Sequence, residues 1–326
     1  MAPSSDGNKP AMAVNGRMLD FLHHVQSGVL GRWQLLEHGL SDNDIERMLR
    51  RRELARAAPG VYVSHTGPLT LVQRQWVAVL ACWPAALTLE SAVPGERPAP
   101  IHVAIEVKRN LRLRPPGAIP HRMTDFRTDV DWRAAPPRVR LDRAVLELMQ
   151  ARIRREDVAG AYAALANACH RRTTPDRIIR ALGRRERVSG RRLIEGMLTD
   201  VRDGVCSVLE RGYLERVERP HGLPRAERQR VSSATGRRTA QDVRYEKYGV
   251  VIELDGRAIH DNPVSWDADA RRDLAELAVS DAVTARVTYG LVFGGQCETA
   301  RWVGQILRRQ GWDGLAHRCP QCPEPP

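Results

Sequence analysis

The chain has 326 residues, with 51 Lys/Arg against 39 Asp/Glu and a formal net charge of +12. That length exceeds one small core and argues for two or three domains, and the charge favours a phosphate backbone or an anionic surface as partner. The most apolar run, WVAVLACWPAALTL, has 14 residues and contains Pro84, so it is too short to span a bilayer and no membrane partner is expected.

Only Lys9, Lys108 and Lys247 are lysines, a skew expected of a GC-rich coding sequence. Residues 107–194 hold 22 Lys/Arg and 9 Asp/Glu, an excess of 13 that accounts for the whole net charge. Charge concentrated in one segment fits either a polyanion partner or a solvated arginine-rich surface. Six cysteines are scattered along the chain. The opening MAPSSDGNKPAMAVNG is small and polar and reads as disordered (residues 1–16) rather than as a leader. A cytoplasmic protein with reduced thiols is expected.

In chain order, RMLDFLHHVQS predicts a helix with Met18, Leu22 and Val25 on one side. GVLGRWQLLEHG predicts a short second helix ending at Gly39. SDNDIERMLRRREL predicts a third, capped by Ser41 or Asp42, with Ile45, Met48 and Leu49 as its apolar face. ARAAPGVYV closes the segment as a turn and short strand. Helix, short helix, tight turn, helix and β-wing is the pattern of a winged helix-turn-helix, assigned to residues 17–66. The third helix opens on Asp42, Asp44 and Glu46, which would repel phosphate. Nucleic-acid contact is therefore expected at its other end, through Arg47, Arg50, Arg51, Arg52 and Arg56, a set that suits backbone positioning.

The stretch GVLGRWQLLEHGLSDNDIERMLRRRELARAAPGVYV resembles the N-terminal domain of AbiEi-type antitoxins. The resemblance covers roughly residues 17–65. It implies a winged-helix autorepressor of a toxin–antitoxin operon, with DNA and a cognate toxin protein as partners. The alternative is a module that contacts only protein.

Residues 67–194 read as a basic, mainly helical α+β middle region, similar to the linker of long actinobacterial relatives of that family. LVQRQWVAVLACW predicts an amphipathic helix and IHVAIEV a strand. LDRAVLELMQAR, EDVAGAYAALANACHRR and TPDRIIRALGRR predict helices, the last starting with Pro175 at its first position.

From about residue 195 to 312 the pattern is α/β. GMLTDVRDGVCSVLERGYLERVER predicts one long helix carrying Glu210, and RQRVSS a strand. QDVRYEKYGVVIELDG predicts a hairpin turning at Lys247-Tyr248-Gly249. SWDADARRDLAELAVSDAV predicts a helix, ARVTYG a strand, and ETARWVGQILRRQ a helix with Trp302, Val303, Ile306 and Leu307 inward. Alternation along a strand puts Glu253 and Asp255 on one face, with Val250, Ile252 and Leu254 on the other. Asp242 reaches the face of Glu253 if the turn spans about four residues, and Glu210 approaches from the neighbouring helix. Clustered carboxylates repel one another unless a divalent cation sits among them, and oxygen ligands favour Mg²⁺ or Mn²⁺. Asp242 and Glu253 are the expected metal ligands. Glu210 and Asp255 assist, and His260 is the candidate general base.

This arrangement resembles the PD-(D/E)XK nucleases, in the branch related to very-short-patch repair endonucleases. Glu253-Leu-Asp255-Gly256 and His260 match the E-x-D-G-x-x-x-H segment of an uncharacterised group there. Glu210, Asp242, Asp267, Arg271 or Arg272, and Arg286 fall in that group's order. The resemblance covers roughly residues 205–310 and implies a restriction-endonuclease-like mixed sheet flanked by helices. Asp255 stands where such nucleases usually carry lysine, and Lys247 lies in the turn. Two readings stay open: a metal-dependent DNA endonuclease, or an AbiEi-like repressor whose nuclease-like domain is inactive. A toxin-neutralising protein with little DNA affinity is a third.

Residues 313–326, with His317, Cys319 and Cys322, read as an exposed tail. His317, Cys319 and Cys322 suggest half of a zinc site, but a structural zinc needs four ligands and the one obvious further candidate, Cys297, is distant in sequence, so zinc is not expected.

Overall fold

The computed structural model describes residues 16–96, 100–111, 115–203, 207–232, 239–255 and 282–322, the side chains of 16–19, 21, 171, 229–232 and 239–242 excepted. His260, Asp267, Arg271, Arg272, all but the last two residues of the helix expected over 265–283 and the N-terminal 15 residues lie outside the described residues. The chain divides into two compact units, 1–144 and 145–326. That division coincides with neither expected boundary, 66/67 or 194/195.

The first unit starts with α1 (Gly16–Val25), β1 (Val29–Gly31), α2 (Arg32–Glu37), α3 (Asp42–Arg50), β2 (Ala55–Ala58) and β3 (Val61–Val63). The three strands form an antiparallel sheet in the order β1-β3-β2. The expected second helix is thus a strand followed by a shorter helix. Gly28 explains the difference: its φ of +79° turns the chain out of α1, and a Cβ there would lie 2.5 Å from Ser64 Oγ. Val29–Gly31 then finds its hydrogen bonds on β3. Side-chain alternation splits the core. Val29, Val61 and Val63 pack with Trp76, Val77 and Leu80, while Leu30 and Tyr62 join Leu35, Ile45 and Leu54. Ser41 caps α3 as expected. Its Oγ accepts from Asp44 N, and the Asp44 carboxylate accepts from Ser41 N at 2.9 Å.

Beyond it, α4 (Leu71–Ala81) bears out the expected amphipathic helix, fixed at its start by reciprocal bonds between Thr70 and Gln73. Helices outweigh strands over 67–194, but between α4 and residue 140, where the sequence showed one strand and Pro/Arg-rich loops, more strands form. This stretch builds a five-stranded mixed sheet, β6-β5-β4-β8-β7, from β4 (Ala86–Leu87), β5 (Ile101–Glu106), β6 (Ala118–Met123), β7 (Val130–Asp131) and β8 (Arg138–Val139), with a short α5 (Phe126–Asp129). Three of these strands have two residues, too few for alternation to register in sequence. Pro120 is tolerated in β6 because that strand lies at the sheet edge.

The second unit carries the helices α6 (Leu141–Arg154), whose first turn precedes the division, α7 (Val158–Arg171), α8 (Pro175–Gly183), α9 (Arg191–Asp203) and α10 (Ser207–Gly212). Thr174 Oγ1 accepts from Arg177 N ahead of Pro175, the expected start of α8. The single long helix expected around Glu210 is instead two. The Asp200 carboxylate, 1% exposed, accepts from Ser207 Oγ at 2.5 Å and Val208 N at 2.8 Å. It therefore caps a fresh helix start with a buried side chain. A π-helical turn, Tyr213–Glu218, follows.

The strands β9 (Glu227–Ser232), β10 (Thr239–Tyr245), β11 (Val250–Asp255) and β12 (Val283–Thr288) form a mixed sheet in the order β12-β11-β10-β9. β9, β10 and β11 run antiparallel in succession, and β12 lies parallel to β11. α11 (Tyr289–Phe293) and α12 (Gln296–Arg309) complete the order. On α12, Val303 and Leu307 are buried as expected, but Trp302 is 42% exposed, beneath the Arg301 guanidinium. Much of the segment after α12 is exposed, but it is anchored: Cys319 is buried and His317 N donates to His221 O at 2.6 Å. Among the described residues no helix is long and apolar enough to cross a membrane.

Candidate functional site

In the first unit the acidic start of α3 is neutralised. Asp42 holds Arg32 in a bidentate pair (2.9 and 2.6 Å), Asp44 holds Arg47 at 2.6 Å, and Glu46 pairs with Arg56, which also lies over the Tyr62 ring. All five sequence-predicted arginines are exposed. Arg51 sits 3.9 Å from Glu53, while Arg50 and Arg52 make no ion pair among the described residues. The free positive charge thus gathers at the C-terminal end of α3, where Arg52 takes φ +62° as the chain leaves the helix.

In the second unit the hairpin register runs Tyr245↔Val250, Arg244↔Val251, Val243↔Ile252. The turn is four residues, Glu246 to Gly249, and Gly249 closes it at φ +59°. That is the turn length needed to set position 242 across from 253 when the register is carried one step on. Val250, Val251 and Ile252 are fully buried and Leu254 nearly so, whereas Glu253 and Asp255 are half-buried. The strand thus enters the sheet apolar on both faces and leaves it with carboxylates on one. Glu253 is the register partner of Arg286 on β12, and Asp255 of Thr288. Partners in register project from the same face. Asp242 lies in β10; its side chain, like His260, is outside the described residues. Glu210 is half-buried in α10. Lys247 stacks on Tyr248 in the turn, at the other end of β11 from Glu253, and cannot stand in for the motif lysine.

Helix and sheet of this unit meet through buried polar groups. Tyr213 and Tyr245 hydroxyls are 3.0 Å apart, and burial raises both phenols. Glu218, 4% exposed, accepts from Arg228 Nη2 at 2.8 Å. Burial raises its carboxyl and Arg228 opposes the shift. Beside this pair lies a cleft of about 870 Å³ lined by Arg219, Arg225 and Arg228 with Glu218 and Glu227.

A second cluster gathers the three cysteines weighed in the sequence around a histidine that the sequence did not single out. His221 Nε2 and the Sγ atoms of Cys297, Cys319 and Cys322 lie within 4.8 Å of one another. Burial and the neighbouring thiols push the Cys297 thiol up to about 12. Burial opposes deprotonation at Cys319 too, but hydrogen bonds from Gln321 and the adjacent thiols leave it lowered. His317, the histidine nearest the Cys pair in sequence, is not a member; its ring packs against Gly222. The one sequence signal was the C-x-x-C spacing, while His221 sits in a Pro-rich turn with no pattern around it.

No protein-family model and no curated protein matches the chain.

Proposed function

We propose that this is a DNA-binding protein whose C-terminal unit hydrolyses phosphodiester bonds with Mg²⁺ or Mn²⁺ held at the β10–β11 hairpin. The observation carrying the reading is the pair Glu253 and Asp255, half-buried on one face of β11. That strand lies inside a sheet of antiparallel β9-β10-β11 and parallel β12, an order in keeping with the mixed sheet implied by the PD-(D/E)XK resemblance. Two carboxylates partly withdrawn from water are hard oxygen donors, so the residues fit such a cation. Asp242 and Glu253 would hold it, with Asp255 and Glu210 assisting. When bound, the metal supplies Lewis-acid charge at the scissile phosphate. Arg286, register partner of Glu253, offers a guanidinium suited to a phosphate oxygen. His260 would take the proton of the attacking water on an imidazole nitrogen. In the first unit, read as a winged helix, Arg50, Arg51 and Arg52 would track the DNA backbone.

A second reading is an AbiEi-like repressor, with a toxin as further partner, in which the hairpin does no chemistry. The neutralised acids of α3 favour it, since they remove the repulsion that argued against DNA contact and require no catalysis. Incubating the full chain with nicked, mismatched and intact duplexes in Mg²⁺ or Mn²⁺ separates the two. Cleavage lost in Asp242→Ala and Glu253→Gln supports the first reading. Salt-dependent binding with no cleavage of any duplex supports the second, and cleavage that survives both substitutions places the site elsewhere.

A further inference from the structure

We propose that His221, Cys297, Cys319 and Cys322 form a structural zinc site that fastens the segment after α12 to the turn following the π-helical stretch of the second unit. Cys297 Sγ and Cys319 Sγ are 3.6 Å apart, Cys319 Sγ and Cys322 Sγ 3.8 Å, and Cys322 Sγ and His221 Nε2 3.7 Å. Ligands about 2.3 Å (sulfur) and about 2.0–2.1 Å (nitrogen) from a tetrahedral zinc are separated by about 3.5–3.8 Å. Three of the six edges of the cluster have that length, and the other three are within 4.8 Å. All three cysteines are free thiols.

The surroundings orient the ligands. His221 is 1% exposed, and its Nδ1 lies 2.9 Å from Val217 O. A carbonyl only accepts, so the proton sits on Nδ1 and the Nε2 lone pair faces the sulfurs, the arrangement that zinc-binding imidazoles use. Cys297 occupies the first turn of α12, so a rigid helix end carries that sulfur to the cluster. In Cys319-Pro-Gln-Cys322 the chain turns back on itself: Cys322 N donates to Cys319 O at 3.0 Å and Cys319 N to Cys322 Sγ at 3.3 Å. Gly222 takes φ +65°, and a Cβ there would lie 3.0 Å from the His317 ring. Together with the His317 N to His221 O bond, this close approach brings the two distant segments together.

Three sulfurs and one imidazole are a soft set that selects zinc over the cations suited to the carboxylate hairpin. Four protein ligands fill the tetrahedron and leave no position for water, which makes the site structural rather than catalytic. The inference does not depend on nuclease activity.

The test is elemental analysis of the full-length protein purified under reducing conditions without added metal. About one zinc per chain is expected, together with tetrahedral thiolate bands in the visible spectrum after cobalt exchange. Cys322→Ser and His221→Ala should lose the bound zinc, while Cys169→Ala should keep it. Where a variant is insoluble, chelator treatment of the wild-type protein serves instead, and it should release zinc and lower the unfolding temperature together. Wild-type protein without zinc, with iron in its place, or with cobalt bands unchanged by Cys322→Ser would overturn the proposal.

Discussion

Glu253 and Asp255 stand two residues apart on one strand, whereas His221 and Cys322 are 101 residues apart in sequence and come within 3.7 Å. Both groups belong to the second unit, and each has the donors for a metal ion. They differ in hardness, in burial and in how the fold assembles them. The hairpin offers half-buried oxygens at the end of a strand; the thiol cluster is closed around a histidine that is 1% exposed. A site that must admit a phosphodiester has to keep an open side, and a site that only joins segments does not. Under the proposed function the first would carry chemistry, and under the zinc proposal the second would carry stability.

The sharpest way to break that assignment is Glu253→Gln. Cleavage should fall by at least about 10³-fold through lost transition-state stabilisation, while zinc content and unfolding temperature stay at wild-type values. An unfolding temperature that falls with activity would make the hairpin carboxylate structural. Cys297→Ser should do the reverse. Losing one ligand of a closed site is expected to cost about 3 kcal/mol, or roughly 6–12 °C in Tm by calorimetry.

The buried Glu218–Arg228 pair gives a smaller effect with a sign. Burial raises the Glu218 carboxyl, so the folded state holds that proton more tightly than the unfolded chain. Its contribution is full at low pH and lost as pH rises through the raised value, with Arg228 limiting the loss. Arg228→Ala should cost about 2 kcal/mol, reduced from the fully buried case by partial exposure of the guanidinium. In denaturant titrations that deficit should grow as pH rises above the ordinary carboxylate range; a deficit that shrinks instead would reverse the argument. The smallest effect is expected from Arg50→Ala. It should weaken DNA binding evenly across sequences and reduce the salt slope by about 1, leaving zinc content and Tm unchanged.

The carboxylate hairpin was legible because its information is local. Alternation along VVIELD sorts apolar from acidic positions, and the four-residue turn ending in Gly249 sets the register. The same holds for α3 and α8, whose caps Ser41 and Thr174 sit beside the backbone groups they satisfy. The thiol cluster was legible only in part, as a C-x-x-C spacing, because its other ligands come from a turn and a helix end far away in the chain.

The sequence by itself determined the periodic elements, the concentration of basic charge and the shared face of Glu253 and Asp255, all of which rest on neighbours within a turn or a strand. Tertiary structure decided the rest. It made Val29–Gly31 a strand by giving it β3 as a partner, and assembled two-residue strands into a sheet. It ended a helix where the Asp200 carboxylate caps the next one, left Trp302 outside, and brought His221 to three distant cysteines. In each case the deciding hydrogen bond or contact links residues that no local period relates.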